Sequence, residues 1–455
     1  MKQTRRQLLK ALPALLTVAR PASAQNQASI TGTILGKGGL PKIAVSDFRG
    51  SGGTAGLMGT FNSTVFADLQ DSGLFDMVPK TSYPLQAPQR PDDFKPESGA
   101  GLALQDWVAA GASHLAFGYA ADQNGSFVLY GFLADVRQTT TTGAMSGWTQ
   151  KYGANRRYFA SLNEEGARKA AHEYASDIIT LFGGATLAGT KIYFISNRGG
   201  EKAVWGMDFD GGNQHQVSHS RNLSIMPAVS PDGALLAYTS YQSGRPQIAI
   251  LETATGRQRG FLNPSASVNS TPNFTPDGNS IYFASSLGGP QQIYRAGVTG
   301  AGLTRISHSN AIETEPKVNP RNANQLVFVS GRTGPQQIFR MNSEGLDVER
   351  LSDGTGEASN PCWHPDGQHI LFSWTRGYAR GDWNVFIMDV ASREYVQLTH
   401  SEGRNENPVW APDGRHLVFG STRGGRSQIW TMLADGTGVK RLTTQGSNLQ
   451  PVWSK

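Results

Sequence analysis

Pro231-Asp232-Gly233, Pro276-Asp277-Gly278, Pro365-Asp366-Gly367 and Pro412-Asp413-Gly414 are four copies of one phrase. Pro320-Arg321-Asn322 is a degenerate copy between the second and third, and the steps are 45, 44, 45 and 47 residues. A fixed interval of that size marks a repeat architecture. Each copy has the same internal order. A proline and one or two apolar residues lead in, as in Pro408-Val409-Trp410, and the turn follows. An apolar run comes next, then a glycine turn, a run such as Gln292-Ile293-Tyr294 or Gln428-Ile429-Trp430, and a second turn such as Asp435-Gly436. Short β-rich runs between Gly, Asn and Asp read as antiparallel hairpins, and four in one period make a propeller blade.

Six apolar second runs are present, from Ile192–Ile195 to Leu417–Phe419. The 266 residues from Thr190 to the end divide into six units of roughly 44, the propeller period. The first unit lacks a lead-in, and the chain ends on an orphan one, Gln450-Pro451-Val452-Trp453. The last strand is therefore expected to enter the first blade and close the ring, which removes the open sheet edge. The fold class expected is an α/β N-terminal domain followed by an all-β six-bladed propeller closed by the C-terminal strand.

The first 24 residues carry Lys2, Arg5, Arg6, Lys10 and Arg20, no acid, a short apolar core from Ala11 to Ala19, and Ala22-Ser23-Ala24. This is the pattern of a signal peptide with an A-x-A-like cleavage site. Thr4-Arg5-Arg6-Gln7-Leu8-Leu9-Lys10 resembles a twin-arginine signal, and these residues leave a twin-arginine or a Sec route open. The division expected is 1–24 signal peptide, 25–185 α/β domain and 186–455 propeller. Without the leader the basic residues fall from 41 to 36 against 35 acidic ones. A nearly neutral chain gives no argument for nucleic acid. Cys362, the single cysteine, excludes an internal disulfide and reads as a buried, inert thiol.

In the segment from Gln25 to Ala185, strand runs alternate with helical ones. Ile43-Ala44-Val45, Leu74–Val78, Leu115–Gly118 and Phe127–Val136 read as strands. Leu57–Leu69 and Leu162–Phe182 carry apolar residues at helical spacing. Gly50-Ser51-Gly52-Gly53-Thr54-Ala55 fits only a loose dinucleotide fingerprint and does not directly follow a strand, so a plain loop entering a helix is expected.

Catalytic patterns are missing. No serine fits G-x-S-x-G. His172-Glu173 lacks the second histidine of a zinc helix, and His215 and His219 lie where that spacing does not converge on a metal. The repeated Pro-Asp-Gly aspartates read as turn formers. Neither a catalytic site, a cofactor nor a metal is expected. The suggestive residues precede the lead-in prolines: Ser224, Met226, Asn269, Ser270, Thr271, Glu313, Thr314, Glu315, Ser359, Asn360, Glu406, Asn407, Asn448 and Gln450. They are expected just ahead of the innermost strand of each blade, converging on one mouth of the central channel as a polar, concave surface.

With these blades go the opening Pro41-Lys42-Ile43-Ala44-Val45-Ser46-Asp47-Phe48, Phe66-Ala67-Asp68-Leu69-Gln70-Asp71-Ser72-Gly73-Leu74-Phe75, and Trp107 followed by Gly111-Ala112-Ser113-His114-Leu115. In this combination the chain resembles the TolB family of the Tol–Pal system over essentially its whole length. The resemblance implies a non-enzymatic periplasmic scaffold that supports outer-membrane integrity and invagination at division. It implies binding of the lipoprotein Pal at the propeller's channel mouth, here the pre-proline residues above. It also implies binding of TolA by the mature N-terminal segment, about Gln25 to Leu40, with Thr31, Thr33, Ile34 and Leu35 able to pair as an added strand. The chain would be monomeric outside that complex and reach the membrane through its partners only. A propeller that binds a glycan or another small ligand at the channel mouth is the alternative; Trp363, Trp410 and Trp453 are expected to pack between blades instead.

Overall fold

The computed structural model describes residues 30–36, 39–94, 102–138, 145–154, 156–219 and 222–455. The expected export signal lies outside them. Residues from Lys42 to Leu181 form a mixed sheet with helices. Its strands are β1 (Lys42–Val45), β2 (Arg49–Ser51), β3 (Asp76–Met77), β4 (His114–Gln123), β5 (Ser126–Asp135) and β6 (Arg157–Ser161), in the order β3-β1-β4-β5-β6 with β2 against β4. Helices α1 (Met58–Asp71) and α4 (Glu164–Leu181) pack together through Phe61, Val65, Leu69, Ala167, Ala171, Tyr174 and Ile178. Their apolar residues recur every three or four positions, which puts them on one face of each helix. Asn163 caps α4, its Oδ1 accepting from Gly166 N at 2.8 Å. A second core holds Phe94, Trp107, Phe117 and Phe132 beside α2 (Leu104–Ala109). A further helix, α3, spans Ser146–Tyr152.

The glycines at Gly50 and Gly53 have a packing reason. A side chain at Gly50 would press on Thr54 at 2.7 Å, and one at Gly53 on Leu162 at 2.8 Å. Thr54 is buried at the start of the short 3-10 turn Gly52–Leu57. The stretch is a tight corner.

From Lys191 onward the chain forms six four-stranded antiparallel sheets. Blade 1 takes its inner strand, Asn448–Trp453, from the C-terminus, paired with Lys191–Ser196 through Trp453 opposite Ile192. The ring closes as the orphan lead-in requires. Blades 2 to 6 begin their inner strands at Ser224, Asn269, Glu313, Ala358 and Asn405. Adjacent blades interlock through apolar faces, and the tryptophans sit there. Trp363 and Trp410 are buried, and Trp363 Nε1 donates to the Lys317 carbonyl of blade 4 at 3.0 Å. Trp453 Nε1 donates to Thr190 Oγ1 at 2.9 Å. Cys362 is half-buried and its thiol is pushed up by burial, so it stays protonated.

The N-terminal end, where pairing with a partner as an added strand is expected, has a different form in the chain alone. Residues 30–35 are helical, and Gly36, at φ +86°, ends the turn. Ile30 and Ile34 fall four apart on one side of that helix, which suits a groove better than a sheet edge. Ile30 is buried between blades 5 and 6 with Leu371, Ile387, Trp410 and Leu417, and Ile34 and Leu35 pack beside it.

Candidate binding surface at the channel mouth

The pre-proline residues lie within the inner strands, not ahead of them. Each inner strand carries the same irregularity: its register against the second strand shifts, between Ile225 and Ala228 in blade 2 and at the matching place in the other five. This is a β-bulge, and a proline fits it because it needs no ladder donor. The residue before each proline is left-handed. Met226, Thr271, Glu315, Asn360, Asn407 and Gln450 have φ between 51° and 55°. For a residue with a side chain that conformation costs about 1–2 kcal/mol. Six such residues at one level concentrate strain on one ring, which is where a functional surface is to be sought.

The ring is held by hydrogen bonds that pass from blade to blade. Gln450 Oε1 accepts from Met226 N at 2.9 Å, and Thr271 Oγ1 accepts from Glu315 N at 3.2 Å. Glu315 Oε2 accepts from Asn360 N at 2.6 Å, and Asn360 Oδ1 accepts from Asn407 N at 3.3 Å. Met226 has no oxygen to continue the series, so Thr271 N donates to Thr239 Oγ1 instead, at 3.2 Å. Burial holds the Glu315 carboxyl above its ordinary value, outweighing the bonds from Asn360 and Ser359 and the charge of Lys317.

The channel between these residues is narrow, with a cavity of about 60 Å³. Small-ligand pockets typically reach about 300 Å³ or more. A partner would therefore read the rim and not enter the bore. Of the expected residues, Ser270, Thr314 and Glu406 are half-exposed beside the ring. Ser224, Asn269, Glu313, Ser359 and Asn448 are buried and offer no free surface. Most of these face inward to tie down their own blade corners. Glu313 is paired with Arg332 and accepts from Ser330 Oγ, and Asn448 Nδ2 donates to Gln428 Oε1 at 2.8 Å.

The inner strands run from this ring to the Pro-Asp-Gly turns, and the N-terminal α/β part meets the propeller at that opposite end. Arg415 donates from Nη1 to the Leu35 carbonyl at 2.8 Å and from Nη2 to the Gly73 carbonyl at 2.9 Å. His416 sits between Asp413 Oδ2 at 2.6 Å and the Asp71 carbonyl at 2.5 Å. Burial draws this imidazole down, but Asp413 and that carbonyl outweigh it and hold it above its ordinary value. Nearby, His172 lies 2.6 Å from Asp68 and 3.7 Å from Asp210, which also pairs with Arg168. Between these two clusters a cavity of about 390 Å³ remains, lined in part by Asp68, Leu74, Phe209, Leu433 and Trp453. None of these contacts was foreseen. The available signal was Arg415 directly after a turn whose other copies continue with Ala234, Asn279 or Gln368.

A family model described as the TolB beta propeller domain matches residues 178–377 and 352–455, and one described as the TolB amino-terminal domain matches residues 35–142. A protein TolB homolog of Chlorobium chlorochromatii is 33% identical over 158 residues, 34% of this chain and 35% of that protein. The match thus spans about a third of that relative's length. The Tol-Pal system protein TolB of Bordetella pertussis is 28% identical over 337 residues, 64% of this chain and 70% of that protein. The crystal structure of TolB from Acinetobacter baumannii superposes with a TM-score of 0.74 at 24% identity, over 92% of this chain and 98% of that one, a likeness of fold.

Proposed function

This chain belongs to the TolB family, and from that premise we propose that it serves the Tol–Pal system as a non-enzymatic periplasmic scaffold. It binds the lipoprotein Pal at the channel mouth of the propeller and TolA through its N-terminal segment, and so supports outer-membrane integrity and invagination at division. The observation that carries the reading is the strained, hydrogen-bonded ring with Ser270, Thr314 and Glu406 half-exposed beside it. A rigid polar rim over a bore too small for a sugar favours a protein partner over a glycan. Among the described residues no helix is long and apolar enough to cross a membrane, in keeping with attachment through partners.

The N-terminal segment supplies the second half of the proposal. Residues 30–35 are docked against blades 5 and 6 and tethered through Arg415. TolA would have to draw this helix out of its groove, so the docked form is the one that competes with TolA. If Pal favours the docked form, each partner changes the other's affinity by the same factor. The test is calorimetric titration of the mature chain with the soluble domain of Pal. One-to-one binding, weakened by joint substitution of Ser270, Thr314 and Asn407, is the expected result. Deleting 25–40 should abolish TolA binding and alter Pal affinity. Unchanged Pal affinity removes the coupling, and absence of Pal binding by two independent methods removes the scaffold reading.

A further inference from the structure

Blade 5 differs from the other blades at the turn joining its first and second strands. The residue before the turn proline is Ser230, Thr275, Asn319 and Ala411 in blades 2, 3, 4 and 6, but His364 in blade 5. The residue that opens the second strand is Leu235, Ser280, Gln325 and His416 there, and His369 here. Only this turn places two imidazoles around its aspartate. In every Pro-Asp-Gly copy the aspartate's Oδ1 is taken by a backbone N–H two residues on, as from Gln368 N to Asp366 at 2.7 Å. Oδ2 of Asp366 is then left to face the two rings. It lies 2.9 Å from His364 Nδ1 and 2.7 Å from His369 Nδ1.

The far nitrogens fix what those near atoms are. His364 Nε2 lies 2.8 Å from the Gly414 carbonyl of blade 6. A carbonyl only accepts, so in the neutral ring the proton sits on Nε2 and Nδ1 is a lone pair. The backbone N–H of Asp366 lies 3.1 Å from that nitrogen, a long contact that an ion on the single Nδ1 lone pair would replace. A lone pair and a carboxylate oxygen 2.9 Å apart repel each other unless a cation lies between them. His369 is oriented in a related way, with its Nε2 3.6 Å from Asp389 Oδ2. An imidazole whose outer nitrogen faces a carbonyl or a carboxylate while its inner nitrogen points at a shared centre has the arrangement of a metal ligand.

We propose that His364, Asp366 and His369 form a site for a divalent transition-metal ion of the zinc type. Two Nδ1 atoms and one carboxylate oxygen are its protein ligands, and water completes the shell at the exposed edge of Asp366. Two imidazoles and one carboxylate suit Zn²⁺, Ni²⁺ or Cu²⁺ better than Ca²⁺ or Mg²⁺, which take oxygen ligands. Ligands about 2.0–2.1 Å from such an ion stand roughly 3.3 Å apart in a tetrahedral shell, so the 2.9 and 2.7 Å separations would open by about half an ångström when the ion enters. Arg321 of blade 4 donates to the Pro365 carbonyl at 2.8 Å and is itself exposed, so water screens its charge from the site. Blade 6 provides an internal control. Asp413 and His416 repeat the spacing, but Ala411 replaces the first imidazole and His416 Nε2 is committed to Asp71. A bound ion would tie the blade 5 turn through His364 to Gly414, pinning the junction against which Ile30 packs.

The experiment is titration of Zn²⁺ into the metal-stripped, tag-free mature chain, by calorimetry and by competition with a chromophoric chelator. One ion per chain at micromolar affinity or tighter is expected. His364→Ser and His369→Gln borrow residue types that blades 2 and 4 carry at these places, so the fold should tolerate them. Each should weaken binding about ten- to a hundred-fold, and His416→Gln should leave it unchanged. X-ray absorption of the zinc-loaded wild type should report two imidazoles in the first shell, a readout that needs no variant. Absence of saturable binding, equal binding by the variant carrying both His364→Ser and His369→Gln, or fewer than two imidazoles would each overturn the proposal. In those cases a proton on His364 fills the gap.

Discussion

The two ends of the propeller are built by different rules. At the channel mouth one residue position, repeated in all six blades, makes a ring in which each member has the same left-handed backbone. At the other end the N-terminal part is held by Arg415, His416, His172 and Asp210, through contacts that each occur once. The first end is a property of the repeat and the second a property of single positions. A repeated feature tolerates a change in one copy, because the neighbouring blades still impose the geometry. A contact made once has no such reserve.

This contrast can be broken in four ways. The largest effect is expected beneath the ring, at the buried Glu313. Arg332→Ala leaves that carboxylate without its charge partner and should cost about 3–5 kcal/mol in urea unfolding of the propeller. A cost below that of an ordinary surface substitution would show that Glu313 finds water or another donor. Next is Arg415→Ala at the opposite end, which removes two charge-assisted bonds to the N-terminal part. It should cost about 2–4 kcal/mol and expose residues 30–35 to hydrogen exchange while the ring stays protected. If those residues keep their protection, the apolar groove holds the helix without Arg415.

Smaller effects separate strain from bonding within the ring. Met226→Gly removes the left-handed strain and gives up no acceptor for the next blade, so stability should change by no more than about 1 kcal/mol. Asn360→Gly relieves the same strain but also deletes the acceptor of Asn407 N, and should be the worse of the two by about 1 kcal/mol. Equal values in thermal unfolding would mean that the blade-to-blade bonds contribute nothing.

The smallest effect is with pH, at the other end. Against the pull of burial, Asp413 holds His416 above the ordinary histidine value, and Asp68 does the same for His172. Burial also raises Asp68 itself, its ion partner only partly opposing this. Groups raised in the folded state add stability that is whole below their unfolded values and lost as pH rises through the folded ones. Asp413 is lowered by His416 against the effect of burial and acts the other way, losing its contribution as pH falls below about 4. Stability should therefore decline as pH rises above the ordinary histidine value of about 6.5, and the double variant His172→Gln, His416→Gln should remove the decline. A decline of the same size in the double variant would place its cause elsewhere.

The sequence was most legible where it repeats. The period, the blade count and the closure by Gln450–Trp453 all follow from one recurring turn, because a blade is a local unit whose hairpins are specified within about 45 residues. The six ring residues were also legible as a group, since each precedes a proline at the same point of the repeat. What periodicity could not tell was depth. Thr271 and Asn269 are two residues apart, yet one faces the channel and the other is buried, a distinction set by the bulge between them and the second strand. The helical form of residues 30–35 in the chain alone was not legible for a related reason. Its alternating threonines and apolar residues suit a strand locally, but a groove between blades 5 and 6 gives Ile30 more burial as a helix.

What the sequence by itself determined, then, is the closed six-bladed ring, the α/β part before it and the set of pre-proline residues gathered at one mouth of the channel. Local turn chemistry and the alternation of apolar residues are enough for that. Only the tertiary structure decided which polar residues are surface, where residues 30–35 rest and which histidines meet. Asp71 and His416 are 345 residues apart, and even His364 and His369, five apart, become a pair only because Gly414 of the next blade orients one ring. Such contacts depend on how separately folded units pack, and no spacing along the chain records it.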